Sequence, residues 1–262
     1  VLVDNRTTLV VTVDNFILRD RLGGREDREA LADRLAHALS EAGRLTKVSS
    51  IMEAFDDPKY GPFDQIPIAT GVTKEFKVWL GERSFQFPGV EIVPETVRAY
   101  PYGASAAHIL GYVGPINQGE LDLRQNSQKP YQPSDEIGKA GVELSFEEIL
   151  RGIPGTREII VDAKGNIVEE VGYTSPQPGN DIQLTIDIDL QAAAEKALEE
   201  KLLERREEAN DDGLLYPAPA GAVVLEDPRD GDLLAVASYP TYDPAEFLGG
   251  ISQERFSEIG RA

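Results

Sequence analysis

The chain has 262 residues, no cysteine and a formal net charge of −20. The absence of cysteine excludes disulfides and thiolate metal sites, and the strong negative charge argues against binding to nucleic acid or to anionic lipid headgroups. No run of 18 apolar residues is present, so no transmembrane segment is predicted. The length permits one large domain or two medium domains with cores of their own.

Apolar residues in the first part of the chain alternate between strand spacing and helix spacing. Strands are predicted at residues 8–13, 64–70 and 90–99, and Pro67 favours a sheet edge for the second of these. Helices are predicted at residues 26–42, at 47–55 with Thr46 as cap, at 74–81 with Thr73 as cap, and at 104–110.

The middle of the chain is polar and then rich in glycine. Residues 117–135 are predicted to form a long surface loop or flexible arm. A single helix over residues 142–150 follows, with Gly152 as its stop. Residues 156–162 and 166–172 are predicted to form a hairpin around a turn at 162–165. The segment 175–179, Ser-Pro-Gln-Pro-Gly, reads as a stiff connector and domain boundary.

The last part of the chain predicts a new structural unit. It comprises a strand at 181–186, a helix at 190–208 capped by Asp187 or Asp189, and strands at 221–226 and 232–238 around a tight turn. The two dense apolar strands need cover on both faces, and the helix can supply one of them. The unit looks incomplete, and the chain, which begins at Val1 without methionine, is expected to be an excised piece.

No metal or cofactor site is predicted. His37 stands in a helix without a ligand pattern, and His108 is expected to be packed and hydrogen-bonded near Tyr100 and Tyr102 rather than to act as a base. Asp187 and Asp189 are two carboxylates two residues apart, and helix capping and dipole neutralisation explain both without a metal.

Six short motifs occur in order along the chain. The segment Gly138-Lys-Ala-Gly-Val-Glu-Leu-Ser-Phe-Glu-Glu-Ile-Leu-Arg-Gly-Ile-Pro-Gly155 resembles the junction motif of class B penicillin-binding proteins, with Phe146 where the family usually has tyrosine. The segments 98–103 (Arg-Ala-Tyr-Pro-Tyr-Gly) and 108–113 resemble the second pedestal motif. The segments 184–191 and 222–238 resemble the start of the transpeptidase domain and its first hairpin. Segments 87–91 and 242–247 point to the elongation-type group, the relatives of penicillin-binding protein 2.

The resemblance implies an α+β fold. An elongated pedestal (dimerisation) domain of short helices and twisted antiparallel strands, residues 1–180, would precede the first strand, helix and hairpin of a penicillin-recognising α/β transpeptidase domain, residues 181–262. It also marks a set of structural junction residues: Arg98, Tyr100, Pro101, Gly103, Gly138, Gly141, Glu143, Gly152 and Gly155.

The family's catalytic motifs are Ser-x-x-Lys, Ser-x-Asn and Lys-Thr-Gly. None occurs here, and Ser127-Gln-Lys129 misses the first by one residue. The resemblance therefore implies a parent protein that is a serine-type D,D-transpeptidase acylated by β-lactams, while this chain is expected to be inactive and to have no catalytic residue and no cofactor. Peptidoglycan stem peptides and β-lactams would bind only through the missing catalytic domain.

The resemblance further implies a role in cell-wall elongation and cell shape. The parent would be anchored in the cell membrane by a single segment absent here, with this fragment soluble on the extracytoplasmic face. Its expected partners are a membrane glycosyltransferase of the shape-elongation-division-sporulation (SEDS) type and an MreC-like scaffold. Two alternatives stay open: a stand-alone acidic extracytoplasmic scaffold with no enzyme activity, and a different penicillin-recognising serine hydrolase such as a β-lactam sensor.

Overall fold

The computed structural model describes residues 1–20, 22, 24–127, 129–161, 167–210, 213–248, 250–251 and 253–259. The chain divides into two compact units. The N-terminal unit comprises Asn5–Val97 and Val161–Ile167, and the C-terminal unit comprises Val1–Asp4, Arg98–Ile160 and Val168–Ala262. The predicted boundary after residue 180 lies within the C-terminal unit and stays a prediction. The predicted α+β class, with small antiparallel sheets, is confirmed.

The N-terminal unit is built on a three-stranded sheet with the strand order β2-β1-β3. In chain order its elements are β1 (Asp4–Asp14), α1 (Asn15–Asp20), α2 (Arg25–Glu41), α3 (Val48–Phe55), β2 (Gln65–Thr70), α4 (Lys74–Glu82) and β3 (Val90–Ala99). The end of β3, from Arg98, belongs to the C-terminal unit. Strand β2 pairs antiparallel with β1 at the edge of the sheet, as Pro67 predicted.

The core of the N-terminal unit lies between the central strand and helix α2. Val11 and Val13 of β1 are fully buried, as are Leu31, Leu35 and Leu39 of α2. These three leucines recur at helical spacing, so one stripe of the helix faces the sheet. Each fully buried side chain of this size contributes about 1.5–3 kcal/mol through its removal from water.

The predicted side-chain cap is present at one helix start and absent at another. The hydroxyl of Thr73 accepts a 3.2 Å hydrogen bond from the backbone N–H of Phe76, which confirms the predicted cap of α4. The predicted cap of α3 is wrong, because the helix begins after Lys47 and no side chain caps it. Thr46 stands one residue too early to reach the free N–H groups of the first turn.

Among its described residues, the C-terminal unit contains three two-stranded sheets, several short helices and one long helix. In chain order its elements are α5 (Ala107–Leu110), β4 (Val113–Pro115), α6 (Gln118–Leu123), β5 (Glu136–Gly138), α7 (Gly141–Ser145), α8 (Glu147–Leu150), β6 (Thr156–Val161), β7 (Ile167–Thr174), α9 (Ile188–Glu207), β8 (Gly221–Glu226), β9 (Leu233–Tyr239) and α10 (Gln253–Ile259). The predicted hairpins β6–β7 and β8–β9 are both confirmed. The predicted turn at 162–165 lies outside the described residues.

Helix α9 packs against the β8–β9 hairpin. Ala194 and Leu198 of the helix lie against Ala235 and Ala237 of β9, and all four are buried. Asp187 caps α9, since its carboxylate accepts from the N–H groups of Asp189 and Leu190. One face of the predicted hairpin is thus covered by the predicted helix.

Several predicted segments differ from the structure. The helix at 142–150 is broken at Phe146 into α7 and α8, and this break lets the Glu147 carboxylate turn back to the Gly138 N–H, 2.9 Å away. The loop at 117–135 contains α6. Residues 181–186 form no strand. This part of the chain is joined to β9 by isolated hydrogen bonds, such as that from the Asp187 N–H to the Leu234 carbonyl, and not by a ladder of backbone pairs.

The predicted helix at 104–110 is shorter and begins at Ala107. Within the described ranges, no helix is both long enough and apolar enough to cross a membrane.

Candidate functional site

The predicted junction residues Arg98 and Glu143 form a buried ion pair. Arg98, near the end of β3, donates from Nε to Oε1 of Glu143 on α7 over 2.7 Å. Their side chains are 19% and 5% exposed. Tyr100 is buried nearby, and its burial together with the Glu143 carboxylate raises the pKa of the phenol, which therefore stays protonated at neutral pH. The pair ties the end of β3 to the first helix of the junction motif.

Glycines of the junction motif allow the backbone segments to touch. Gly141 has φ +57°, and a Cβ on it would lie 2.3 Å from the carbonyl oxygen of Ile109. A Cβ on Gly138 would lie 2.0 Å from the carbonyl oxygen of Glu143. A larger residue at either position would collide with backbone, so α5, β5 and α7 can pack this closely only with glycine.

The second pair of motif glycines contacts the connector. A Cβ on Gly152 would lie 2.4 Å from the carbonyl oxygen of Gln177, and one on Gly155 would lie 2.8 Å from that of Thr174. Between them, Ile153 forms an antiparallel bridge with Gln177 through bonds of 2.8 and 2.9 Å. The connector is therefore held against the end of the junction motif.

Pro101 and Gly103 belong to a turn. The N–H of Gly103 donates to the carbonyl of Tyr100 over 3.0 Å, which puts proline at the second turn position and glycine, with φ +56°, at the fourth. The turn sends the chain from β3 towards α5. All nine predicted junction residues thus lie in the C-terminal unit. Their role at a domain junction stays a prediction.

A cluster of charged residues that the sequence did not reveal orders the segment before the junction motif. Arg151 donates to the carbonyls of Lys129 and Pro130 and to the carboxylate of Asp135. Its guanidinium carbon lies 3.8 Å from the centre of the Tyr131 ring, a cation–π contact. This part of the predicted flexible arm is therefore fixed to the end of α8.

Helix α6 is fixed in the same segment. Asn117 and Glu120 form a reciprocal capping box, with bonds of 2.9 and 2.8 Å. Glu120 also accepts a 2.5 Å bond from the Lys139 ammonium, and the pKa of its carboxyl is lowered by that bond and by the Asn117 N–H, against a burial effect of opposite sign. A capping box is a sequence pattern, so Asn-x-x-Glu was the available signal for this helix.

Helix α9 is joined to the loop before α5 by a partly buried polar contact. The Glu195 carboxylate accepts from the hydroxyl of Ser105 over 2.8 Å and from the N–H of Ala106 over 2.7 Å. Gln191, fully buried one turn earlier, donates to the same carboxylate and pairs with both backbone groups of Val236 on β9. No sequence pattern pairs these residues, which are 90 positions apart.

The segment after β9 covers the same loop. Thr241 donates to the carbonyl of Ala104, and the Tyr242 hydroxyl donates to that of Ala107. His108 Nε2 lies 3.0 Å from the carbonyl oxygen of Pro240, and its ring meets that of Tyr242 edge to face at 5.1 Å. The predicted hydrogen bond of His108 is confirmed, but the residue is exposed rather than packed, and its aromatic partner is Tyr242. Burial raises the pKa of Tyr242 to about 12.

The contacts of this site connect parts of the chain to one another. Its polar groups bind other parts of the same chain, and its glycines bring backbone against backbone. Among the described residues, no group of three metal-binding side chains is present. The contacts join the predicted pedestal motifs to the helix and hairpin that follow the connector, so the site can fix the position of one segment against the other.

Comparisons with known proteins agree with the resemblance. A family model of the penicillin-binding protein dimerisation domain matches residues 1–184. The peptidoglycan D,D-transpeptidase MrdA of Escherichia coli K12 is 34% identical over 199 residues, which cover 75% of this chain and 29% of that protein. The chain therefore spans less than a third of the length of this relative.

Two solved structures share the fold. Penicillin-binding protein 2 of Helicobacter pylori, solved in complex with MreC, matches with a TM-score of 0.65 and 22% identity over 99% of this chain and 43% of its own. A chain of a peptidoglycan synthase complex, described as coordinating polymerisation and crosslinking, matches with a TM-score of 0.63 and 28% identity over 100% of this chain and 40% of its own. The chain belongs to the family of the penicillin-binding protein dimerisation domain and is a relative of penicillin-binding protein 2.

Proposed function

We propose that this chain is the non-catalytic pedestal portion of a peptidoglycan D,D-transpeptidase that acts in cell-wall elongation. Residues 1–180 would form the pedestal, and residues 181–262 would open the transpeptidase domain. The observation that carries the proposal is the junction itself, where the Arg98–Glu143 pair and the Glu195 contact lie in one compact unit. The similarity to MrdA supports the reaction type.

The proposed role of the chain is to position the catalytic domain. The Arg98–Glu143 pair and the glycine-mediated backbone contacts restrict movement of the joined segments against one another. A different arrangement of these segments would leave a charge unpaired or force backbone apart. The sequence lacks Ser-x-x-Lys, Ser-x-Asn and Lys-Thr-Gly. Since the serine nucleophile and its lysine come from those motifs, we expect this chain alone not to react with β-lactams.

The proposed partners follow from the relatives. One similar structure is a complex of penicillin-binding protein 2 with MreC, and another is a peptidoglycan synthase complex. We therefore propose an MreC-like scaffold and a membrane glycosyltransferase of the SEDS type as partners. The longer protein would be anchored in the membrane and would present this chain on the extracytoplasmic face.

Labelling with a fluorescent penicillin tests the proposal. The probe is added side by side to this chain and to the product of its uninterrupted gene, and covalent label is read after denaturing electrophoresis. Label on the longer product alone is the expected result. No label on either product would favour a stand-alone acidic scaffold, and label on this chain would reveal a nucleophile outside the three motifs.

A further inference from the structure

The carboxylate of Glu195 is the meeting point of three donors from two parts of the C-terminal unit. Oε2 accepts from the hydroxyl of Ser105, and Oε1 accepts from the backbone N–H of Ala106 and from Nε2 of Gln191. The bonds measure 2.8, 2.7 and 2.7 Å. Hydrogen bonds to a carboxylate are stronger than neutral ones, particularly away from water.

The same contact extends to the hairpin through Gln191. Its side-chain amide donates to the carbonyl of Val236 and accepts from the N–H of the same residue, over 2.9 and 2.8 Å. Gln191 is completely buried. Loss of its partner Glu195 would leave one N–H of this fully buried amide short of an acceptor, which is costly.

The loop side of the contact is strained. Ala106 adopts φ 58° and ψ 15°, the left-handed region that residues with a Cβ avoid, and it is 2% exposed. Such a conformation persists only where surrounding contacts hold it. The bond from the Ala106 N–H to Glu195 is one of these contacts. Without it, we expect the backbone of Ala106 to leave the left-handed conformation and the loop to move.

We propose that Glu195 is a positioning residue that locks the loop at residues 103–106 onto α9 and β9. The inference rests on the proposed function, in which α9 and β9 are among the first elements of the catalytic domain. In that reading, Glu195 is the residue on which the orientation of α9 and β9 to the pedestal depends. Ser105 and Gln191 act through this carboxylate, the first from the loop and the second from the hairpin side.

Distance measurements between two spin labels test the lock directly on this chain. The sequence has no cysteine, so Leu123→Cys on α6 and Leu203→Cys on α9 introduce the only two labelling sites, and both residues are exposed. The distance distribution is recorded in this background and after Glu195→Ala, Glu195→Gln, Ser105→Ala and Glu199→Ala. Glu199 is the matched control, since it is exposed and stands one turn further along the same helix.

The expected distribution is narrow in the background and in the Glu199 control. Glu195→Ala should broaden it or add a second distance, and Ser105→Ala should broaden it less. Glu195→Gln should restore the narrow peak, because its amide oxygen accepts from Ala106 and Gln191 while its amide nitrogen donates to Ser105. A folded Glu195→Ala chain with the control's distribution would overturn the proposal. If that chain does not fold, an unchanged distribution in Ser105→Ala would overturn it.

A second measurement uses the longer protein. There Glu195→Ala should leave acylation by the fluorescent penicillin unchanged and reduce cross-linking of glycan strands, because a small β-lactam needs only the catalytic domain. Equal loss of both activities, or of neither, would contradict a positioning role. If the longer protein does not label at all, the proposed function fails, while the distance measurement on this chain still decides the lock.

Discussion

Nε of Arg98 donates a 2.7 Å hydrogen bond to Oε1 of Glu143, across 45 positions of the sequence and with the carboxylate side chain 5% exposed. Removal of one partner from such a pair leaves a buried charge without compensation, so Arg98→Met should lower the free energy of unfolding by about 3–5 kcal/mol. Urea denaturation followed by circular dichroism measures this loss.

The double substitution Arg98→Met with Glu143→Leu distinguishes the cost of losing the ion pair from the cost of leaving the Glu143 carboxylate buried without a partner. It should recover much of the stability, because two apolar side chains replace the pair. Lys196→Met is the control, since its pair with Glu200 is exposed and 3.9 Å long, and it should cost less than about 0.5 kcal/mol. Equal losses in Arg98→Met and Lys196→Met would show that burial of the pair does not matter.

Gly141 should not tolerate a side chain. It has φ +57°, and a Cβ would lie 2.3 Å from the carbonyl oxygen of Ile109, which is backbone and has little room to move. Gly141→Val should therefore cost about 2–5 kcal/mol, from overpacking together with the left-handed conformation. A lower melting temperature and a lower denaturation midpoint are the expected readouts.

Gly81 offers the matched glycine control. It lies inside α4, and no heavy atom would come within 4 Å of its Cβ. Gly81→Ala should raise stability by about 0.5–1 kcal/mol, because alanine loses less backbone entropy in a helix. The explanation of Gly141 by steric fit fails if the two substitutions move stability in the same direction by similar amounts.

The sequence predicted features that depend on near neighbours. Thr73 and Asp187 cap helices because a short polar side chain reaches N–H groups two or three residues away, and the first turn of a helix presents those groups whatever the rest of the fold. The junction glycines were found through family resemblance, and the structure supplies their physical reason, which is close backbone approach.

Features that depend on distant partners were not predictable in this way. The break at Phe146 accompanies a bond from Gly138 to Glu147, and the Glu195 contact joins residues 90 positions apart. The segment at 117–135 looked like a loop because its composition is polar. Its order comes from Arg151 and Lys139, which lie beyond the segment itself.

Glu147 should give the chain a measurable pH dependence. Burial raises the pKa of its carboxyl, with the Glu143 carboxylate adding to the rise, while the bond from the Gly138 N–H acts in the opposite direction. The folded state therefore binds the proton more tightly than the unfolded chain. Stability attributable to this group is highest below its ordinary pKa of 4.5 and falls as pH rises towards the raised value.

Glu147→Gln removes this titration and leaves an amide oxygen that accepts from Gly138. The stability difference between variant and parent chain should grow in favour of the variant as pH rises from about 4 to about 7. Urea denaturation at several pH values measures it. Glu148→Gln, at the exposed neighbouring position, is the control for exchanging a carboxylate for an amide. A flat difference for Glu147→Gln would contradict the raised pKa.

Arg151 should keep the segment around Asp135 ordered. Its guanidinium group binds two carbonyls and a carboxylate at once and lies on the face of Tyr131, and a lysine ammonium cannot reproduce that planar geometry. Hydrogen bonds to charged groups contribute about 1.5–3 kcal/mol, so Arg151→Lys should speed amide exchange in this segment by about 10- to 100-fold.

Hydrogen exchange read by mass spectrometry can localise the effect. The N–H of Asp135, which donates to the Gln132 carbonyl, and that of Ile116, which donates to the Asp135 carbonyl, should both lose protection. Arg229→Lys is the control, because Arg229 pairs with Asp227 in an exposed turn and should leave these amides unchanged. If Arg151→Lys also leaves them unchanged, the neighbouring bonds of α6 and Lys139, rather than Arg151, order the segment.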